Sequence, residues 1–189
     1  MGALKARARR ARITAIGLLL ACGAGALDIA HAAPTAAEVE AVFLFNFSEF
    51  VDWPPQVFSD PRAPIVIGVL GSDPFGPALD DVVRGETVNG RALVVRRFEH
   101  VEELADCQIL FISRSERARL QPILQAVKGR SVLTVSDLEN FALEGGVIGF
   151  VLAENKIRLR INLQAARTAG LTLSSKLLRP AQIVGPGEN

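Results

Sequence analysis

The sequence is sparing with side chains that transform substrates. It holds two His, two Cys and no Tyr. His31 and Cys22 lie in the first 32 residues, so His100 and Cys107 are the only imidazole and thiol of the remaining chain. A Ser-His-acid triad would have to use His100, and no G-x-S-x-G elbow accompanies it. His100 stands among Glu99, Glu102 and Glu103, the setting of a solvated surface histidine. A Cys-His pair would have to use Cys107, which opens an apolar run over 107–113, the position of an inert buried thiol. No H-E-x-x-H, C-x-x-C or paired-His spacing offers a metal or redox centre. Carboxylate-only chemistry needs two acids in one cleft, and no spacing singles out such a pair. These residues point to a protein that is not an enzyme and carries no cofactor or metal.

Two groupings have the chemistry of recognition instead. The loop Gly71-Ser72-Asp73-Pro74-Phe75-Gly76 joins a predicted strand to a predicted helix, where α/β sheets often bind ligands and free N–H groups can hold an anion. Gly71, Ser72, Asp73 and Gly76 are its candidate ligand residues. The loop spells neither G-x-G-x-x-G nor G-x-x-x-x-G-K-S/T. The alternative is a tight connection in which Asp73 caps the helix. The second grouping is apolar: Phe45, Phe50 and Trp53 near the first helix, and Leu171, Leu173 and Leu177 near the end. Phe and Trp are enriched at interface cores, and Trp53 is the single Trp of the chain. The alternative is that these side chains complete the core, with Trp53 plugging the end of the helix.

The elements that must position these groups are readable from periodicity. Thr35 and Glu38 have capping-box spacing. Behind them Val39, Val42, Phe43, Phe47, Phe50 and Val51 recur at steps of three and four, predicting a helix that runs to Pro54-Pro55. Phe45 falls off that stripe, which leaves aromatic surface for a partner. Residues 64–71 form a continuous apolar run, as in a strand covered on both faces. Residues 77–84 predict a short helix, 91–98 a second strand, 100–105 a short helix or turn, and 107–113 a third strand. A helix over 115–127 with Ser115 as N-cap and Gly129 as stop precedes a fourth strand over 131–136. Strand and helix alternate, which predicts crossover units and a mainly parallel sheet with helices on both sides. Residues 146–153 and 156–163 flank Glu154-Asn155 and predict an antiparallel hairpin with one wet face. Short helices follow over 164–168 and 174–178. The expected fold is α/β, a layered α/β/α domain with a C-terminal antiparallel hairpin.

The N-terminus is of another kind. Lys5, Arg7, Arg9, Arg10 and Arg12 form a basic run without acids, residues 13–27 are apolar, and Ala30-His31-Ala32 gives a small-x-small site before Ala33. These are the parts of a secretory signal peptide. The apolar run is shorter than the roughly 20 residues that span a bilayer. Leu19-Leu20-Ala21-Cys22 also fits a bacterial lipobox, with Cys22 as a lipid anchor. The expected organisation is a signal peptide over 1–32, one domain over 33–184 and a flexible tail over 185–189. The whole chain has a formal net charge of +1. Five basic residues leave with the signal against one acid, Asp28, so the remaining domain is mildly acidic. Such a domain has no electrostatic footprint for nucleic acid or for anionic lipid.

Several segments together resemble one family, the YfiR-like periplasmic proteins. They are Ala41-Val42-Phe43-Leu44-Phe45-Asn46-Phe47, Phe50-Val51-Asp52-Trp53-Pro54, Ile67-Gly68-Val69-Leu70-Gly71, Asp73-Pro74-Phe75-Gly76 and Gly90-Arg91. Cys107-Gln108-Ile109-Leu110-Phe111-Ile112-Ser113, Leu133-Thr134-Val135-Ser136-Asp137, Phe141 with Gly145-Gly146, Ile161-Asn162, Ala165-Ala166 and Ser174-Ser175-Lys176-Leu177-Leu178 complete the series. The resemblance implies a non-catalytic periplasmic regulator that binds and inhibits the periplasmic part of an inner-membrane diguanylate cyclase, lowering cyclic di-GMP and restraining biofilm formation. It further implies relief by an outer-membrane OmpA-like lipoprotein, and a homodimer. The chain departs from the member that gives the family its name in lacking a second Cys near the hairpin, so redox control through an internal disulfide does not carry over. The alternative function is a periplasmic sensor of a small ligand at the Gly71–Gly76 loop.

Overall fold

A computed structural model describes residues 33–104 and 106–185. The expected signal peptide, the lipobox around Cys22 and the tail beyond Gly185 lie outside them.

Thr35 and Glu38 form the predicted capping box: Glu38 N–H donates to Thr35 Oγ1 at 3.2 Å, and Thr35 N–H donates to Glu38 Oε2 at 2.7 Å. They open α1 (Ala36–Phe50), which stops before the prolines. Val51 takes extended dihedrals and starts β1 (Val51–Asp52). The early stop has a tertiary cause, because Phe50 C=O accepts from Ser174 N–H at 2.8 Å and the chain peels away into a strand pair. The phase of α1 also differs from the predicted stripe. Its buried face is Glu40, Ala41, Leu44, Phe47 and Ser48, whereas Val42 is 46% exposed. The helix is apolar nearly all round, so periodicity alone leaves its rotation open.

Beyond a 3-10 turn at Pro55–Val57 come β2 (Ile65–Leu70), α2 (Pro77–Val83), β3 (Thr87–Val88) and β4 (Arg91–Phe98). A second turn, Val101–Glu103, leads to β5 (Ile109–Ile112). The helix predicted over 115–127 divides into a 3-10 turn, Arg114–Arg119, and α3 (Leu120–Val127). Pro122 lacks the N–H that a continuous α-ladder would need, and the α-helix starts where that N–H falls in its first turn. The N-cap of this segment is Ser113, whose side chain accepts from Ser115 N–H, rather than Ser115 itself. Then follow β6 (Leu133–Ser136), β7 (Ile148–Ala153), β8 (Lys156–Asn162), α4 (Leu163–Thr168), β9 (Thr172–Leu173), α5 (Ser175–Leu178) and β10 (Gln182–Val184).

The main sheet has the order β10-β8-β7-β6-β5-β2-β4-β3. The strands from β4 across to β7 are parallel to their neighbours, with Ile67 opposite both Val95 and Ile109. β8 runs antiparallel to β7 through the expected hairpin, whose tip residues Glu154 and Asn155 both have positive φ. The sheet is therefore mixed but mostly parallel, with helices on each face, as the α/β/α expectation requires. Chain order reverses at β2, between β4 and β5, the point at which doubly wound sheets leave a crevice.

All six residues of β2 are buried. Ile65, Ile67, Val69, Ile109, Phe111, Leu133 and Val135 share one core cluster with Leu44 and Phe47 of α1 and Leu79 of α2. Leu70, Leu110 and Ile112 belong to a second cluster with Leu120, Ile123, Leu124 and Val127 of α3. The α3 spacing, i, i+3, i+4, i+7, is that of a helix lying on a sheet. No helix among the described residues is long and apolar enough to cross a membrane.

Candidate functional site

The two apolar segments singled out by residue type meet in space. β1 pairs antiparallel with β9, Val51 opposite Leu173 and Asp52 opposite Thr172, in a two-stranded ribbon separate from the main sheet. This brings Phe50 and Trp53 beside Leu171, Leu173 and Leu177. Phe45, Phe50, Trp53 and Leu173 are partly buried and pack on the first core cluster, while Leu171 and Leu177 belong to it at 5% and 4% exposure. Trp53 also has a polar anchor, since its indole N–H donates to Gln108 C=O at 3.2 Å. Gln108 ties the start of the sheet together, its Oε1 accepting from Val66 N–H at 2.8 Å. Trp53 thus covers the amino end of β5 with one side against the core and the other towards solvent. The large apolar side chains most exposed among the described residues lie elsewhere: Val42 on α1, Leu152 near the hairpin tip and Ile183 on the edge strand β10.

The Gly71–Gly76 loop stands at the carboxyl end of β2, at the reversal of chain order. Several of its polar groups are engaged within the chain. Gly71 N–H donates to Phe98 C=O at 3.0 Å, Ser72 N–H to Ser115 Oγ at 3.0 Å, and Phe75 N–H to Asp73 Oδ1 at 2.7 Å. Arg97 binds the loop from β4, pairing with Asp73 at 2.9 Å and Asp80 at 2.5 Å and donating to Gly76 C=O at 2.9 Å. Hydrogen bonding to that guanidinium holds the Asp80 carboxyl below its ordinary range. Gly71 has φ +86°, and a Cβ there would lie 2.4 Å from Ser115 Oγ and 2.7 Å from Glu116 Oε1. The crevice at this point is occupied by the side chains of the segment after β5.

His100 is exposed ahead of the turn at Val101–Glu103. Cys107 is 4% exposed, its Sγ donates to Ile109 C=O at 3.0 Å, and burial pushes the thiol up to about 12, far from a reactive thiolate. Among the described residues no group of three or more His, Cys, Asp or Glu side chains is placed to hold a metal ion.

Two clefts were not legible in the sequence. One, of about 250 Å³, lies between α3 and α4, with Gln121, Gln125, Gln164 and Thr168 among its lining residues. The other, of about 660 Å³, opens between the start of α1, the ends of β5 and β6 and the hairpin. Glu40, Arg114, Asp137, Leu138, Phe150 and Leu152 line it. Glu40 is buried to 6% exposure, and its carboxyl is pushed up to about 7, mostly by burial and then by the neighbouring Asp137. The signal for Glu40 was its register, one helical turn before Leu44 and two before Phe47 and Ser48, hidden by the apolar residues around it.

Comparison with known proteins gives a family and a fold. The model of the family described as YfiR/HmsC-like matches residues 37–182, nearly the whole described domain. No curated protein matches. Among solved structures, the chain resembles the ABC domain in complex with L-Trp from Streptococcus pneumonia, with a TM-score of 0.52 and 11% sequence identity. That likeness covers 76% of this chain and only 60% of the other, and at such identity it speaks for the fold alone.

Proposed function

Since the chain belongs to the YfiR/HmsC-like family of periplasmic regulators, we propose that it docks on the periplasmic part of an inner-membrane diguanylate cyclase and holds that enzyme off. The result is lower cyclic di-GMP and less biofilm. The observation that carries this reading is the match over residues 37–182, in a domain whose only described thiol is buried and whose imidazole has no catalytic company. Regulation by docking needs differential affinity for one state of the partner. Moving a two-state enzyme from mostly on to about 99% off takes roughly 5.5 kcal/mol. A standard-sized interface with a few aromatic anchors supplies that much.

The contact surface we assign is the ribbon of β1 and β9 and the helix end beside it. Phe45, Phe50, Trp53 and Leu173 supply area to a partner, and the buried Leu171 and Leu177 support them from beneath. By the same family reading, an outer-membrane OmpA-like lipoprotein relieves the inhibition by competing for the protein, and the protein acts as a homodimer. The chain reaches its compartment by the signal peptide over residues 1–32, with lipidation at Cys22 as the other route. The small-ligand reading gains no support from the loop geometry, because the N–H groups of Gly71, Ser72 and Phe75 already have acceptors within the chain.

Crosslinking of the tagged protein in intact periplasm, followed by identification of the captured membrane protein, tests this. A cyclase is the expected capture, and Leu173→Asp is expected to abolish it without unfolding the domain. Capture of a cyclase at unchanged yield by Leu173→Asp would move the interface elsewhere. Consistent capture of no signalling enzyme at all would end the proposal.

A further inference from the structure

The cleft between α1, the end of β6 and the hairpin contains two carboxyl groups that lack what a buried carboxylate requires. Glu40 is more than nine-tenths buried, and among the described residues no hydrogen bond or ion pair holds its carboxyl. Asp137 pairs with Arg114 Nε through Oδ2 at 2.7 Å, but its buried Oδ1 has no hydrogen-bond donor. The cations that line the cleft are engaged elsewhere. Arg117 reaches both oxygens of Glu144 at 2.7 and 2.9 Å, and Arg160 Nε donates to Gln182 Oε1 at 3.1 Å. Arg114 is 72% exposed, so solvent screens its hold on Glu40. Glu139, the remaining titratable group of the lining, is exposed and adds negative charge. Two acids therefore line one partly dry cleft and repel each other, with one exposed cation to offset them, a costly arrangement unless one is neutral.

We propose that Glu40 and Asp137 form a proton-binding site that latches the first turns of α1 to the end of β6, closing on proton uptake and opening on proton loss. A proton on Glu40 removes the buried charge and its repulsion with Asp137. When the proton leaves, two like charges remain between α1 and the sheet. The beginning of α1 is the part free to respond. Ala36 lines the same cleft, whereas Leu44 and Phe47 hold the later turns in the core at 0% exposure. A protein outside the cytosol meets the pH of its surroundings directly, so such a latch reports external acidity to whatever docks on α1 or the hairpin.

The sign follows from linkage. The Glu40 carboxyl rises from 4.5 to about 7 on folding, and burial raises that of Asp137 in the same direction. The folded state then holds more protons than the unfolded one. Its advantage is complete below pH 4.5 and is lost as pH rises through about 7.

The test follows the unfolding midpoint of the domain from pH 5.5 to 8.5, together with amide exchange over residues 39–44 corrected for intrinsic chemistry. The wild-type midpoint is expected to fall through neutrality, with opening of the first turns of α1 increasing about tenfold or more. Glu40→Gln, neutral at every pH and able to donate, is expected to keep at pH 8 the midpoint and slow exchange of the wild type at pH 6. Asp137→Asn is expected to flatten part of the same slope, and it keeps the test open if Glu40→Gln fails to fold. Glu139→Gln is the control and is expected to leave the slope intact. A flat wild-type profile, or a slope unchanged in both Glu40→Gln and Asp137→Asn, would overturn the proposal.

Discussion

The carboxyl edge of the main sheet carries two acidic clusters built from the same residue types and treated in opposite ways. At the end of β2, Asp73 and Asp80 share the guanidinium of Arg97, and their remaining contacts are hydrogen bonds that shape the loop. Beside the ends of β5 and β6, Glu40 of α1 and Asp137 line one cleft, with the exposed Arg114 paired to Asp137 and Asp137 Oδ1 left without a donor. Pairing pulls the Asp80 carboxyl down, and burial pushes Glu40 and Asp137 up. The lesson is that acidity alone marks nothing. A satisfied cluster is joinery for a βα connection, whereas an unsatisfied one stores free energy that a proton can release.

The largest expected effect comes from the satisfied side. Gly71→Val forces a branched residue into φ +86° and drives its Cβ into Ser115 and Glu116. A loss of about 3 kcal/mol or more is expected in urea unfolding, from backbone strain and overpacking together. Stability within 0.5 kcal/mol of wild type would show that the crevice is looser than its geometry.

Next comes Trp53→Phe, which keeps most of the apolar cover on the amino end of β5 but drops the hydrogen bond to Gln108 C=O. A loss of about 1 kcal/mol is expected. An unchanged midpoint with lost partner capture would make Trp53 a pure contact residue.

Arg97→Met sharpens the comparison at similar or smaller size. Its ion pairs are half exposed, so about 1 kcal/mol or less is expected at neutral pH, eroding with salt. The depressed Asp80 carboxyl stabilises the fold above its ordinary value of 3.8 and loses that contribution as pH falls further. Acid unfolding is therefore expected to be shallower in Arg97→Met, while the slope through neutrality assigned to Glu40 stays intact. If Arg97→Met also removed the neutral slope, the two clusters would be one coupled system.

The smallest effect is expected from Leu152→Ser at the rim of the acidic cleft. This side chain is 65% exposed, so its loss should move stability by less than about 0.5 kcal/mol.

Much of the scaffold was legible. The strand over 91–98 is β4 residue for residue, the Thr35–Glu38 capping box opens α1, and the hairpin around Glu154-Asn155 forms in the expected pairing. These are local signals, carried by alternation, capping chemistry and turn residues within a few positions of one another. The ribbon of β1 and β9 was not legible, because two-residue strands have no period and their pairing spans more than a hundred residues. The rotation of α1 was misread for a related reason. With Val39, Val42, Phe43, Phe45 and Phe50 all apolar, several faces fit a buried stripe, and contact with the sheet selected the one that takes Glu40 inward.

The sequence by itself determined the class of the protein, since strand and helix alternate, capping and turn residues punctuate them, and reactive side chains are few. Only the tertiary structure decided which acids meet. Asp73 and Arg97 stand 24 residues apart, and Glu40 and Asp137 lie nearly a hundred apart on different elements. The free energy of a charge depends on its burial and on its neighbours in space, and neither exists until the sheet is assembled.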